Sequence, residues 1–150
     1  MKAGTIAATL SDADASAMHF TEAARLAAKF GNGIVYDTVV GPANVQIYQV
    51  AAETELGHPD RAIQISQNTQ LPAGMARERQ TYFWLDSARA HLLAGDPDAA
   101  IDALYESRAA SPEHFRGSPT VKATVETAAK QQRRVDTTLQ SLANSAGVNY

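Results

Sequence analysis

The amino-acid sequence predicts an all-α fold of about two and a half helical hairpins, closed by a C-terminal capping helix. Two turns carry this prediction: Gly57 and Gly95 are each followed at the second position by a Pro-Asp pair, and at the fifth by Ala62 or Ala100. A glycine suits the end of one helix, and a proline suits the first turn of the next. The same spacing twice indicates an internal repeat. Abundant alanine and few β-branched runs favour closely packed helices.

The stretch 84–112 matches a tetratricopeptide-repeat template, in which a large residue of the first helix packs over small residues of the second. The matching positions are Trp84, Ser87, Ala88, His91, Gly95, Ala100, Leu104 and Pro112. We expect the Trp84 indole to lie across Ala88 and Ala100, and Trp84→Ala to cost about 3–5 kcal/mol if the indole is buried. One hairpin cannot bury its apolar face alone, so the match predicts tetratricopeptide-like neighbours on both sides.

The composition limits the classes of protein to which the chain can belong. The chain has 150 residues, no cysteine and a formal net charge of −3, which predicts one domain over residues 1–150 without disulfides, thiol catalysis or a general attraction to nucleic acid. Asp12 and Asp14 interrupt the N-terminal apolar run too early for a secretory signal. No stretch approaches the roughly 20 apolar residues of a membrane span. We expect a cytoplasmic protein that does not bind membranes.

These patterns predict four segments: a partial repeat at 1–31, repeats at 42–69 and 75–112, and capping helices at 118–147. Residues 1–10 are expected to be the final turns of a first helix, and a second helix runs from Asp12 to a stop at Gly31. Aligning Asp12 with Gly95 places Ala17 on Ala100 and Ala24 on Ser107. A first hairpin of this kind leaves an apolar side uncovered, so we expect a longer polypeptide or a partner to cover it.

Residues 31–41 interrupt the helical pattern. Gly31, Gly33 and Gly41 surround the apolar runs 34–36 and 39–40, which flank Asp37. An ordered loop is favoured over a strand, because a lone strand would have no pairing partner. Loops of this length inside a compact repeat are often functional.

Proline and serine mark the later helix starts. Pro42 opens a helix that runs to Leu56, and Ser118 is placed as the N-cap before Pro119. Residues 113–117 are predicted to form a polar turn. The last long helix ends in basic residues, Lys130, Arg133 and Arg134, which suit a helix C-terminus. An amphipathic segment from Val135 to Gly147 is expected to dock on the repeats or on another subunit.

Several short segments, taken in chain order, resemble one family: Gly41-Pro42-Ala43-Asn44-Val45, Glu55-Leu56-Gly57, Leu85-Asp86-Ser87-Ala88-Arg89-Ala90 and Ser111-Pro112-Glu113, with Arg116 and Pro119. They are similar to the C-terminal tetratricopeptide-like domain of actinobacterial transcription regulators whose N-terminal domain is an XRE-type helix-turn-helix. The resemblance covers residues 13–134 and implies a ligand-sensing or dimerising module. This sequence lacks such a DNA-binding domain, so we expect no direct nucleic-acid binding by the chain.

The template places one set of side chains in the concave groove of the repeats: Asn44, Ile47, Tyr48, Ala51, Tyr82, Leu85, Asp86 and Arg89. Of these, Asn44, Tyr48, Tyr82, Asp86 and Arg89 can hydrogen bond to an extended peptide or stack on it, and we take them as the candidate ligand-binding residues. The alternative is that Asn44 bonds locally in its first helical turn, and that Asp86 and Arg89 form an i,i+3 pair.

Catalysis is not expected. The four histidines, His19, His58, His91 and His114, lie on separate elements without metal-ligand spacing, and no nucleophile or phosphate-loop motif is present. The sequence predicts no metal and no cofactor. The expected function is a binding module for a peptide, a protein partner or a small signalling ligand, acting as the sensing and oligomerisation domain of a homodimeric regulator. The alternative is a structural homodimerisation or scaffold domain with no small ligand.

Overall fold

The computed structural model describes residues 1–36, 38–132 and 137–148. Apart from a small two-stranded sheet, the regular secondary structure of the described residues is helical, which confirms the all-α class. The elements in chain order are α1 (Lys2–Thr9), α2 (Ala13–Ala27), β1 (Gly33–Val35), β2 (Thr38–Val40), α3 (Pro42–Glu55), α4 (Pro59–Asn68), α5 (Arg77–Leu93), α6 (Pro97–Ala110), α7 (Pro112–Gly117), α8 (Pro119–Gln131) and α9 (Thr137–Ala146). None of the described helices combines the length and apolar character that a membrane span requires.

The chain divides into two compact units, Met1–Ala76 and Arg77–Tyr150. The first unit holds α1 to α4 and the sheet, and the second holds α5 to α9. The division falls where α5 begins, two residues after the predicted start of the repeat 75–112. A single domain over residues 1–150, and tetratricopeptide-like repeats as its type, stay predictions.

The two elbows predicted from sequence have the same backbone geometry. Gly57 and Gly95 have φ of 74° and 79°, and each donates its N–H to a carbonyl three residues earlier, 3.1 Å away. The next residue, His58 or Asp96, donates to a carbonyl five residues earlier at 2.9 Å. This pair of hydrogen bonds is the Schellman C-cap, which favours glycine because the residue after the helix has a positive φ.

A third elbow joins α1 to α2, and it corrects the predicted alignment by one residue. Ser11 has φ of 59°, and Ser11 and Asp12 make the same two backbone bonds as the other elbows, each at 2.9 Å. Ser11 is therefore the equivalent of Gly95, and Ser16 the equivalent of Ala100. Ser16 is buried, whereas the predicted Ala17 is exposed. The alignment was wrong because serine, not glycine, occupies the left-handed position.

The one-residue error in the predicted alignment also applies to the C-terminal half of α2. Ala24, which the alignment placed on Ser107, is exposed, whereas Ala23 is partly buried against the first-unit core. The first-unit core consists of Ala8, Phe20, Val45 and Ala52, with Ala23, Ala27, Tyr48 and Leu56 packed around it. Through this core, α1 packs against both α2 and α3.

The apolar runs on either side of residue 37 pair as the two strands of a β-hairpin, where the sequence favoured a loop. β1 pairs with β2 in antiparallel register, with Ile34 opposite Val39. The pairing partner was present within the same stretch, on the other side of a turn at Tyr36, and this is why the lone-strand objection failed. Asp37, which the prediction placed between the two apolar runs, lies outside the described residues.

The second unit is organised around the α5–α6 hairpin, which α8 and α9 cover. Between the two hairpin helices, the buried Ser107 hydroxyl donates to the Thr81 carbonyl at 2.8 Å, and the Thr81 hydroxyl donates to the Ser107 carbonyl at 3.2 Å. On the other side of α6, Arg108 donates to the hydroxyls of Ser141 and Ser145 on α9, at 2.9 and 3.1 Å. The segment after Val135 thus docks within its own unit.

The segment between α6 and α8 also departs from the prediction. Instead of a polar turn, it is a short helix, α7, whose Phe115 is completely buried in the second-unit core. Ser118 is the N-cap of α8 as predicted, and its hydroxyl accepts the N–H of Val121 at 3.3 Å. Arg133, Arg134 and Val135, which the prediction placed at and after the helix end, lie outside the described residues.

Candidate binding cleft

The five predicted groove residues are divided between the units. Asn44 and Tyr48 lie on α3 in the first unit, where Asn44 is buried and Tyr48 packs against the first-unit core. The Asn44 amide nitrogen lies 3.4 Å from the sulfur of Met1. Tyr82, Asp86 and Arg89 lie on α5 in the second unit.

Asp86 and Arg89 form the i,i+3 pair that the sequence left open as an alternative. The Arg89 guanidinium donates to the Asp86 carboxylate at 3.1 Å. Arg89 also lines a cleft of about 480 Å³ between α5 and α8, whose walls include Leu93, Ala123 and Gln131. Tyr82 is exposed beside the start of α8.

A second cleft, of about 520 Å³, lies in the first unit between α2, β2 and the start of α3. We call it the first-unit cleft. Its lining residues are Met1, His19, Glu22, Ala23, Leu26, Ala27, Phe30, Thr38, Val39, Val40, Gly41, Asn44 and Val45. Among the predicted groove residues, Asn44 lines it. The prediction missed its remaining wall, although the glycine-rich stretch 31–41 did indicate an ordered functional segment there.

A tight turn between β2 and α3 holds this cleft in shape. Gly41 is the N-cap of α3, with φ of 87° and ψ of −170°, a conformation that is essentially restricted to glycine. The side-chain oxygen of Asn32 accepts the Ala43 N–H at 2.8 Å, so it satisfies a backbone donor that the first helical turn leaves open. Asn32 precedes β1 and Ala43 follows β2, and their bond therefore ties the sheet to α3.

The wall of the first-unit cleft is apolar with one ionised rim. Leu26 and Phe30 are 46% and 65% exposed, a large apolar surface for side chains that line a concave site. At the rim, the Arg25 guanidinium makes hydrogen bonds of 2.8 and 2.6 Å to the two carboxylate oxygens of Glu22. These bonds hold the pKa of Glu22 below its ordinary value of 4.5, so this carboxylate is ionised at neutral pH.

Two polar side chains that line the first-unit cleft, Thr38 and Glu22, have structural partners. The Thr38 hydroxyl donates to the Tyr36 carbonyl at 3.4 Å, and Glu22 is bonded to Arg25. Elsewhere in the first unit, the Glu53 carboxylate lies 2.8 Å from the ring nitrogen Nδ1 of His58, beside the elbow at Gly57. Within residues 1–36, 38–132 and 137–148, no group of three or more histidine, cysteine, aspartate or glutamate side chains is arranged to hold a metal ion.

Comparison of the chain with protein-family models, with curated proteins and with solved structures finds no match. The resemblance of residues 13–134 to the regulator family therefore stays a prediction.

Proposed function

We propose that this chain is a non-catalytic binding module, and that it senses a peptide as the ligand-binding and oligomerisation domain of a bacterial transcription regulator. The first-unit cleft is the observation that carries this proposal. It is concave, largely apolar and bordered by a few polar groups, which is the composition of a ligand site. The regulator role rests on the family resemblance. Ligand binding would favour one of two arrangements of the regulator, by population shift.

The hydrogen bonds around the cleft support binding rather than catalysis. A nucleophilic site needs a hydroxyl or thiol bonded to a base that a third group orients. Here the Thr38 hydroxyl donates to a backbone carbonyl, and both Glu22 oxygens accept from Arg25 rather than from His19. These contacts fix the walls of the cleft.

We predict that the folded chain selects peptides from a random peptide library displayed on phage. Selected sequences would be synthesised with a fluorescein label and titrated with the chain by fluorescence anisotropy. Saturable binding with one peptide per chain and a dissociation constant in the roughly micromolar range is expected. Selection of no saturable binder by a chain with a helical circular dichroism spectrum would overturn the proposal.

A second candidate function, a structural homodimerisation or scaffold domain, is favoured by the outer face of α1. By their distance from the elbow that follows each helix, Ile6 and Leu10 are the equivalents of Ala52 on α3 and of Leu56, its C-cap. Ala52 and Leu56 pack against the first-unit core, whereas Ile6 and Leu10 are 60% and 75% exposed. The face of α1 that corresponds to a covered face of α3 is thus open to another helical element.

If this face forms a homodimer, light scattering of the chain at high micromolar concentration should give twice the monomer mass. Replacing Ile6 and Leu10 together by serine should then restore the monomer, because it removes the apolar surface that would be buried. A matched Leu93→Ser variant, which changes an exposed leucine of α5, should leave the mass unchanged. A wild-type monomer at this concentration would exclude the homodimer.

A further inference from the structure

A small pocket in the second unit lies in the groove between α5 and α6. Its volume is about 360 Å³, and its lining residues are Arg77, Gln80, Trp84, Glu106, Ala109 and Ala110. We call it the second-unit pocket. We propose that it binds a free α-amino acid with an apolar side chain, whose carboxylate bonds to Arg77 and whose ammonium group bonds to Glu106. None of the five predicted groove residues lines this pocket, so the inference goes beyond the proposed function.

The register of the α5–α6 hairpin sets the spacing of the two charges. Thr81 and Ser107 bond to each other's carbonyls through both hydroxyls, so they lie level on the two antiparallel helices. Glu106 is then level with Tyr82, and Arg77 lies five residues, or roughly 7 Å, further along the hairpin. The two charges are therefore separated along the pocket rather than opposite each other.

Both charged side chains are available to a ligand. Arg77 and Glu106 are exposed, and neither belongs to an ion pair within the described part of the chain. A ligand with a single charge would pair with one of them and be repelled by the other. A zwitterion pairs with both, and hydrogen bonds of about 2.8 Å at its two ends allow an α-amino acid to bridge a separation of this size.

Trp84 supplies the apolar wall. Its indole is partly exposed and packs against the second-unit core. It lies two residues beyond the level of Glu106, at the end of the pocket where the ligand's ammonium group would lie. An aromatic face binds both an apolar side chain and a cation. A volume of about 360 Å³ is near the lower end of the roughly 300–1,000 Å³ of small-molecule sites, which suits one amino acid.

The experiment titrates the chain with L-phenylalanine and follows the fluorescence of Trp84, its single tryptophan. Two analogues each lack one charge: N-acetyl-L-phenylalanine has no ammonium group, and L-phenylalaninamide has no carboxylate. Arg77→Gln and Glu106→Gln remove the two charges of the protein. Asp102→Asn is the matched control, because it changes an exposed carboxylate of α6 that does not line the pocket. Circular dichroism checks that each variant is folded.

L-Phenylalanine should change the fluorescence saturably, with a dissociation constant in roughly the millimolar range. Each analogue and each charge variant should bind about threefold to fivefold more weakly, the upper range for exposed ion pairs. Asp102→Asn should change the affinity by less than about twofold. Arg77→Gln should not weaken L-phenylalaninamide further, and Glu106→Gln should not weaken N-acetyl-L-phenylalanine further, because the paired group is already missing from the ligand.

No saturable response to L-phenylalanine, or equal binding of all three ligands, would overturn the inference. The two analogues need no protein variant, so the inference can be tested even if a substitution prevents folding. If library-selected peptides bind while L-phenylalanine does not, the assignment of the second-unit pocket fails and the peptide-binding module stands, because the first-unit cleft shares no lining residue with this pocket.

Discussion

Phe115→Ala is expected to lower the free energy of unfolding of the second unit by about 3–5 kcal/mol, the usual cost of emptying a buried aromatic site. The side chain is completely buried and packs in the second-unit core with residues of α5, α6, α8 and α9. Its own helix, α7, has six residues, too few to be stable without tertiary contacts. Loss of the ring would therefore release α7 as well as open a cavity. Urea denaturation followed by circular dichroism measures the effect.

Trp84→Ala is the matched control for this prediction. The indole is partly exposed, packs against the core that contains Ala88 and Ala100, and meets the Phe83 ring edge-on at 5.1 Å. Because part of the indole keeps its contact with water, we expect a loss below the roughly 3–5 kcal/mol of a fully buried aromatic side chain. A Trp84→Ala loss that exceeds that of Phe115→Ala would contradict this assignment of the core.

The elbows could be predicted because their chemistry is local. A glycine in the left-handed region and a proline in the first helical turn determine the chain direction within a few residues, and both Gly57 and Gly95 adopt that conformation. The elbow between α1 and α2 was predicted one residue too late because Ser11 also has a positive φ, and a serine gives no such signal in the sequence. Sequence rules for turns identify the residues that commonly adopt a given conformation. They miss a residue that its neighbours hold in an uncommon one.

The β-hairpin and α7 were missed for a different reason. Three-residue strands such as Gly33–Val35 are too short to show an alternating pattern. In α7, one apolar residue, Phe115, lies among polar neighbours, so the segment reads as a turn. Its burial comes from packing in the second-unit core. The residues of that core are distant in the sequence, so a short sequence window does not contain them.

The candidate site, too, could be predicted only in part. The predicted groove residues follow from the helical register of α3 and α5, and they are placed on those helices. The first-unit cleft instead joins the end of α2, β2 and the start of α3, which the turn at Gly41 and the packing of α2 on α3 bring together. Leu26 and Phe30 gave no signal in the sequence, because exposed apolar residues at or just after the end of a helix look like ordinary core positions.

Gly41→Ala is expected to be the most damaging single-methyl change in the first unit. The backbone at Gly41 has φ of 87° and ψ of −170°, which costs an L-residue roughly 1–3 kcal/mol in strain. The added Cβ would also lie 2.6 Å from the carbonyl oxygen of Gly31 and 2.9 Å from its carbonyl carbon. Both atoms belong to the backbone, so no rotamer change can relieve the overlap. Strain and overlap together predict a loss of about 3 kcal/mol or more.

Comparison with Gly57→Ala separates the backbone strain from the steric overlap. Gly57 has a similar positive φ of 74°, but nothing lies within 4 Å of its added Cβ, so we expect the left-handed strain alone, about 1–2 kcal/mol. Urea denaturation compares the two variants, and hydrogen exchange of the amides of β2 and α3 locates the damage. Displacement of β2 in Gly41→Ala should also weaken binding of the library-selected peptides, which Gly57→Ala should retain. Equal stability of the two variants would mean that Gly41 does not pass as close to Gly31 as the geometry requires, and the turn at Gly41 would then not hold β2 at the first-unit cleft.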